Sequence, residues 1–185
     1  MDRGELDKRA IERVKAGEQA AFRELIERYQ DEAFSLAYSL LKEREWAEDV
    51  LQEAFIKAFD KIHSFSYQSS FYTWLYRIVV NRCYNELRKK RLTRLGLWEK
   101  GGGGEEAADL VYTNDRKQIV QAALDRMKPN EALVLRLFYL SELKIEEVVE
   151  VTGFSVSKVK VTLHRARKSF ADIIKKHLGK EIEDL

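Results

Sequence analysis

The chain has 185 residues, 45% of them hydrophobic and 35% charged, with a net charge of +2; that length suits one domain or two small ones with a real core and heavily solvated surfaces. The single cysteine, Cys83, excludes an internal disulfide and a multi-thiolate metal site, and points to a reducing compartment. Met1–Lys8 is charged rather than apolar, unlike a signal peptide, and no apolar run approaches a membrane span, so a cytoplasmic protein without membrane insertion is expected.

Proline occurs once, at Pro129, and apolar residues recur at helical rather than alternating spacing, so the fold class expected is all-α. Ile11 and Val14, followed by Gly17, predict a short first helix. Phe22, Leu25, Ile26, Tyr29, Ala33, Leu36, Ala37 and Leu40 form a long amphipathic stripe. Ala47, Val50, Leu51, Ala54, Phe55, Ala58, Phe59 and Ile62 form a second, whose opposite face carries Glu48, Asp49, Gln52, Glu53 and Lys57. His63–Ser70 is rich in serine and aromatics and lacks helical period, so it reads as a loop; helix resumes at Phe71 and runs to about Arg94.

Four consecutive glycines, Gly101–Gly104, lose too much backbone entropy to sit in a helix. They predict a flexible linker over 96–113, between a domain at 1–95 and a second at 114–185. In the second, Ile119, Val120, Ala123, Leu124 and Met127 form one stripe, and Leu133, Leu137, Phe138 and Leu140 the next. Pro129 suits a first helical turn, where its missing N–H costs nothing. Two periodic segments follow, Ile145–Thr152 and Val156–Leu178, separated by Gly153 and Phe154, with Ser155 as a helix cap.

Near-neutral net charge hides segregation. Acidic residues gather at Glu43–Glu53 and Glu142–Glu150, basic ones at Arg77–Arg94 and Lys158–Lys176, a pattern that suits more than one partner. Glu146–Val151, Gly153, Val159 and Leu163 have the spacing of a helix-turn-helix, with Gly153 supplying positive φ at the turn. Val148, Val159 and Leu163 would close its core. Its second helix would turn Ser157, Lys158, Lys160, Val161, Thr162, His164, Arg165, Arg167 and Lys168 outward or along its flanks, as a major-groove helix does; an ordinary solvated charge run is the plainer reading.

Phe71–Arg94 sets Trp74, Tyr76, Arg77, Asn81, Arg82 and Asn85 after an aromatic loop, Phe65-Ser66-Tyr67. Rings, cations and amides together suit single-stranded nucleic acid, although Trp74 and Tyr76 equally fit a core. Glu48, Asp49, Gln52 and Glu53, with Phe55, Ile56 and Phe59 nearby, read either as a polar helix surface or as a protein-binding face. His63, His164 and His177 are scattered, metal-ligand spacings are absent, and no cofactor or enzyme activity is expected.

At these residues the chain resembles an extracytoplasmic-function sigma factor, the smallest group of the main bacterial sigma family. Ala47-Glu48-Asp49-Val50-Leu51-Gln52-Glu53-Ala54-Phe55 resembles the helix that binds the clamp helices of RNA polymerase. Ser70–Asn81 resembles the segment that opens and reads the −10 element, and Gly153–Arg167 the −35 recognition helix. The resemblance implies RNA polymerase core, promoter DNA and an anti-sigma factor as partners, for a protein that is monomeric when free. It places a flipped base in the loop Ser64–Ser70, with Phe65, Tyr67, Ser70 and Asn81 near that pocket and Arg77, Arg82 and Asn85 positioning the strand. Two departures stand out. Val149 replaces the family's usual alanine, and Val161-Thr162 replaces its usual Ser-Arg, which shifts the expected base reading onto Lys160, Thr162 and Arg165. The alternative is a stand-alone helix-turn-helix regulator, which would bind duplex DNA by itself, usually as a symmetric dimer.

Overall fold

The computed structural model describes residues 2–96 and 116–182, and among them there is helix and turn but no strand. The first unit comprises α1 (Arg3–Lys15), α2 (Phe22–Leu41), α3 (Arg44–Lys61) and α4 (Phe71–Gly96). The second comprises α5 (Arg116–Arg126), α6 (Pro129–Leu135), α7 (Ile145–Thr152) and α8 (Val156–Ile182). The linker expected over 96–113 lies, apart from Gly96, outside the described residues.

The stripes read from sequence are the buried faces. Leu25, Tyr29, Ala33, Leu36, Ala37 and Leu40 of α2 meet Ala47, Val50, Ala54 and Ala58 of α3, and Leu75, Val79, Val80 and Cys83 of α4 fill the space between. Alanines at the crossing let α3 approach closely. α1 is fixed from below by the buried carboxylate of Asp7, which accepts hydrogen bonds from Arg28 and from the Tyr29 hydroxyl. A buried charge of this kind persists because both its oxygens are occupied.

Local signals set the helix ends, and Pro129 and Ser155 act as expected. Lys42 ends α2 in the left-handed region at φ 58°. Ser70 caps α4, its Oγ accepting the Thr73 N–H at 3.2 Å, and Ser155 does the same for Lys158 in α8. Pro129 occupies the first position of α6. Leu140, expected on an apolar stripe, is not core but 53% exposed. After α6 the chain widens into a π-helical turn, Arg136–Leu140, and the changed period carries Tyr139 and Leu140 outward while Leu137 stays buried.

The two units are docked. A single apolar cluster runs from α1–α4 into Leu133, Val134 and Leu137, then through Leu143, Val148 and Val151 to Val159 and Leu163. A smaller cluster of Leu124, Met127, Ala132, Leu135 and Ala166 ties α5 and α6 to α8. Polar contacts frame the interface. Lys42 Nζ donates to the carbonyls of Asp125 (2.7 Å) and Leu124 (3.3 Å), serving as a cationic cap on the end of α5. Burial pushes its ammonium pKa down. The Tyr72 hydroxyl donates to the Ser141 carbonyl at 3.0 Å.

Candidate nucleic-acid interface

Three faces carry the residues singled out from sequence. The first is the outer side of α3. Glu48, Asp49, Gln52 and Glu53 are exposed, and Ile56 stands among them 55% exposed, a bare aliphatic side chain on an acidic ridge. Phe55 does not share this face. It is buried at 7% exposure because its position on α3 follows the alanine stripe into the core, so it supports the ridge from behind. Glu53 also accepts an ion pair from Arg82 of α4 at 2.8 Å, joining this face to the next.

The second face is the aromatic loop and the outer side of α4. Phe65 is buried at 5% exposure, packed against Tyr67, Phe71 and Trp74 with ring centroids 4.9, 6.0 and 5.1 Å away. It cannot offer a free ring to a base; it holds the loop to the core. Tyr67 can: it is 42% exposed, with Lys15 Nζ 4.8 Å from its ring centre. Lys15 also donates to the Phe65 carbonyl at 2.6 Å, which pins the loop. Tyr67 lies at φ 59°, a left-handed conformation that a bulky residue seldom adopts, so surrounding contacts hold its ring in place at a cost. Asn81 and Asn85, one turn apart on α4, are exposed. Tyr76 is core, its hydroxyl donating to Glu32 at 2.7 Å.

Part of this face is covered by α7, which no local pattern in the sequence shows. Arg77 pairs with Glu150 of α7 at 3.3 Å, and Thr73 Oγ1 donates to Glu147 Oε1 at 3.4 Å. Glu147 also accepts the Lys144 N–H at the start of α7, so one carboxylate caps its own helix and meets α4. Tyr84 closes the other end, donating to Asn130 at 3.2 Å and lying 6.4 Å from the Phe154 ring. Thr73, Arg77 and Tyr84 recur along one side of α4, and that period was the available signal. Its acidic counterpart, Glu147 and Glu150, was visible only as a charge run.

The third face is α8. Gly153 sits at φ 69° between α7 and α8, and Val148, Val159 and Leu163 are buried behind it, which is the helix-turn-helix geometry. Ser157, Lys158, Lys160, His164, Arg165, Arg167 and Lys168 are exposed, while Thr162 is half-buried. Two of the cations are already engaged. Lys158 Nζ lies 3.5 Å from the centre of the Phe154 ring, and Arg167 Nε donates to the Tyr139 hydroxyl at 2.7 Å.

Residues 25–93 match the family model for Sigma-70 region 2, and residues 117–170 that for Sigma-70 region 4. The chain is 31% identical over 190 residues to the ECF RNA polymerase sigma factor SigW of Bacillus subtilis, covering 96% of this chain and 97% of that protein. The chain belongs to the ECF RNA polymerase sigma factors. It is also 33% identical to the ECF RNA polymerase sigma-E factor of Escherichia coli K12, over 88% of this chain and 91% of that one. Among solved structures, the sigma factor RpoE bound to the anti-sigma factor NepR, from Bartonella quintana, aligns with a TM-score of 0.67 and 22% identity over 83% of this chain and 96% of that one. CnrH in complex with the cytosolic domain of CnrY aligns at 0.64 and 23%, over 93% and 99%. At such identity the structures speak to the fold, which is that of ECF sigma factors. The chain therefore directs RNA polymerase to promoters, and the stand-alone regulator is set aside: region 2 fills the first unit, which a lone helix-turn-helix protein would not need. Among the described residues no helix is long and apolar enough to cross a membrane.

Proposed function

We propose that this ECF sigma factor uses its three faces on three surfaces of one initiation complex. The acidic ridge Glu48, Asp49, Gln52, Glu53, with Ile56 as an apolar anchor at its centre, docks on core polymerase. Charge on the ridge steers encounter, and the desolvated isoleucine supplies affinity. Tyr67, Asn81 and Asn85 receive the unpaired −10 strand. Extruding a base costs a few kcal/mol, and a ring already fixed in position offsets part of that without further ordering. Arg77 and Arg82 lie beside the amides and serve phosphates, while Ser70 holds the start of α4 in register. The outward side of α8 reads −35 duplex, with Lys160, Arg165 and Lys168 on phosphates and bases.

The observation that carries this reading is the exposure of Asn81 and Asn85 on α4, beside a loop whose tyrosine is held outward at positive φ. Since Arg77 and Thr73 are bonded to α7, the −10 strand gains the whole face only after α7 withdraws. Glu147 and Glu150 sit where phosphates would. The free protein is a cytoplasmic monomer in this docked form, and an anti-sigma factor of the kind bound to RpoE in the solved complex would act on the same pair of units.

The test is reconstitution. Purified protein with core polymerase should give discrete run-off transcripts from a genomic library, and core polymerase alone should not. Failure to associate with core enzyme, or transcripts without a shared promoter sequence, would sink the reading.

A further inference from the structure

Val161 stands 50% exposed on α8 and belongs to neither apolar cluster. Its position is specific. At 3.6 residues per turn it lies opposite the buried line Val159, Leu163 and Ala166, with Ser157, Lys158, His164, Arg165 and Lys168 all within about 60° around the helix axis. It is therefore the centre of the outward face, ringed by polar and cationic side chains. Nothing internal accounts for a valine there. Half of its surface stays in solvent, it adds to neither apolar cluster, and a β-branched residue is a poorer helix former than the lysine or arginine beside it. Thr162, its half-buried neighbour, is less free to reach outward.

Resting on the assignment of α8 as the −35 reader, we propose that Val161 reads the 5-methyl group of a thymine in the major groove. That groove shows one apolar feature among the four bases, the thymine methyl, and small aliphatic side chains are its usual partners. An aliphatic knob in the middle of a cationic ring has the matching chemistry. The cations take the phosphates on both sides, and the centre of the face meets the floor of the groove. Val161 makes no hydrogen bond, so it discriminates by shape and desolvation alone. It prefers thymine to cytosine, which offers an amino group instead of an acceptor and methyl, and to either purine.

The experiment uses holoenzyme. A promoter pool randomised across the −35 element is selected for binding, and each thymine of the recovered element is then replaced singly by deoxyuridine, which pairs identically but lacks the methyl. One replacement should weaken binding about four-fold, what burial of one methyl group supplies. Val161→Ser should lose that sensitivity, binding thymine and uracil duplexes equally, and Val161→Ile should keep it. Serine matches valine closely in helix propensity, so the variant keeps its fold, and thermal melting checks this. If no thymine is sensitive, or if Val161→Ser discriminates as well as the parent, the proposal is overturned although α8 still reads −35. If selection returns no −35 preference at all, the assignment of α8 falls, and the proposal with it.

Discussion

The faces on α4 and α8 have similar chemistry and opposite situations. Both combine cations with amides or hydroxyls, and an exposed apolar side chain stands on α8 (Val161) and an exposed ring in the loop before α4 (Tyr67). On α4, Thr73 and Arg77 are bonded to Glu147 and Glu150 of the chain's own second unit, and Tyr84 is covered by Phe154. On α8 the outward side around Val161 meets solvent. The difference is instructive because duplex is always available to bind, whereas a single strand exists only once polymerase has opened it. A surface for single-stranded nucleic acid left bare would stack and pair with charge indiscriminately. If α4 receives the single strand and α8 the duplex, as proposed, the acidic cover of Glu147 and Glu150 over α4 would make the order of events a property of the fold.

The strongest test of that contrast is Asn81→Ala. An amide that reads a base edge contributes about 1–3 kcal/mol. Promoter opening, followed by permanganate reactivity of −10 thymines, should fall about ten-fold or more while assembly with core polymerase is unchanged. Equal loss of both would show that α4 acts in polymerase binding instead, and the contrast between the two faces would be misdrawn. Next in size is Gly153→Ala. A Cβ at φ 69° finds open space, so the cost is conformational, about 1–2 kcal/mol. It should lower the melting temperature and weaken −35 binding, with −10 opening on a pre-melted template unaffected. A variant as stable as the parent would show that the turn does not depend on this conformation.

The α8 face can be sharpened by salt. Arg165 is exposed and no partner holds it among the described residues, whereas Arg167 is bonded to Tyr139. If Arg165 meets a phosphate, Arg165→Ala should reduce the slope of log K against log salt by about one, and Arg167→Ala by less. Equal slopes for both would mean that the Tyr139 bond is given up on DNA.

How far the sequence could be read follows the same division. Buried stripes on α2 and α3, the cap Ser155, and Gly153 at positive φ are legible because each is set by residues within a turn or two, whereas Ser70 reads in the sequence only as the end of a loop and caps α4 in the structure. Phe55 and Phe65 read in the sequence as contact residues and are core in the structure, since composition cannot tell a ring beside a site from a ring beneath it. Leu140 was misplaced because a π-helical turn breaks the period that assigned it. The docking of α7 on α4 was not legible at all. Its contacts join residues more than seventy positions apart, and neither charge run named its partner. Lys42–Asp125, 83 positions apart, is hidden for the same reason, and Arg82–Glu53, 29 apart, joins two helices whose pairing neither charge run names.

The smallest effect bears most directly on the cover over α4. Arg77–Glu150 is a partly exposed pair, and such pairs contribute about 0.2–1 kcal/mol. Glu147 adds a long hydrogen bond, and its other oxygen holds the N-terminus of α7. Glu150→Gln therefore removes a charge without disturbing the helix start, whereas Glu147→Gln weakens both. If acidic cover keeps strands off α4, Glu150→Gln should raise the affinity of the free protein for a single-stranded −10 oligonucleotide about two- to four-fold at low salt. The gain should shrink as salt rises, because the same ions that screen the pair screen the repulsion of phosphate. Within holoenzyme the variant should match the parent if α7 withdraws there as proposed. A gain of equal size in free protein and holoenzyme would mean that Glu150 repels DNA without covering anything, and that the two faces differ in charge alone.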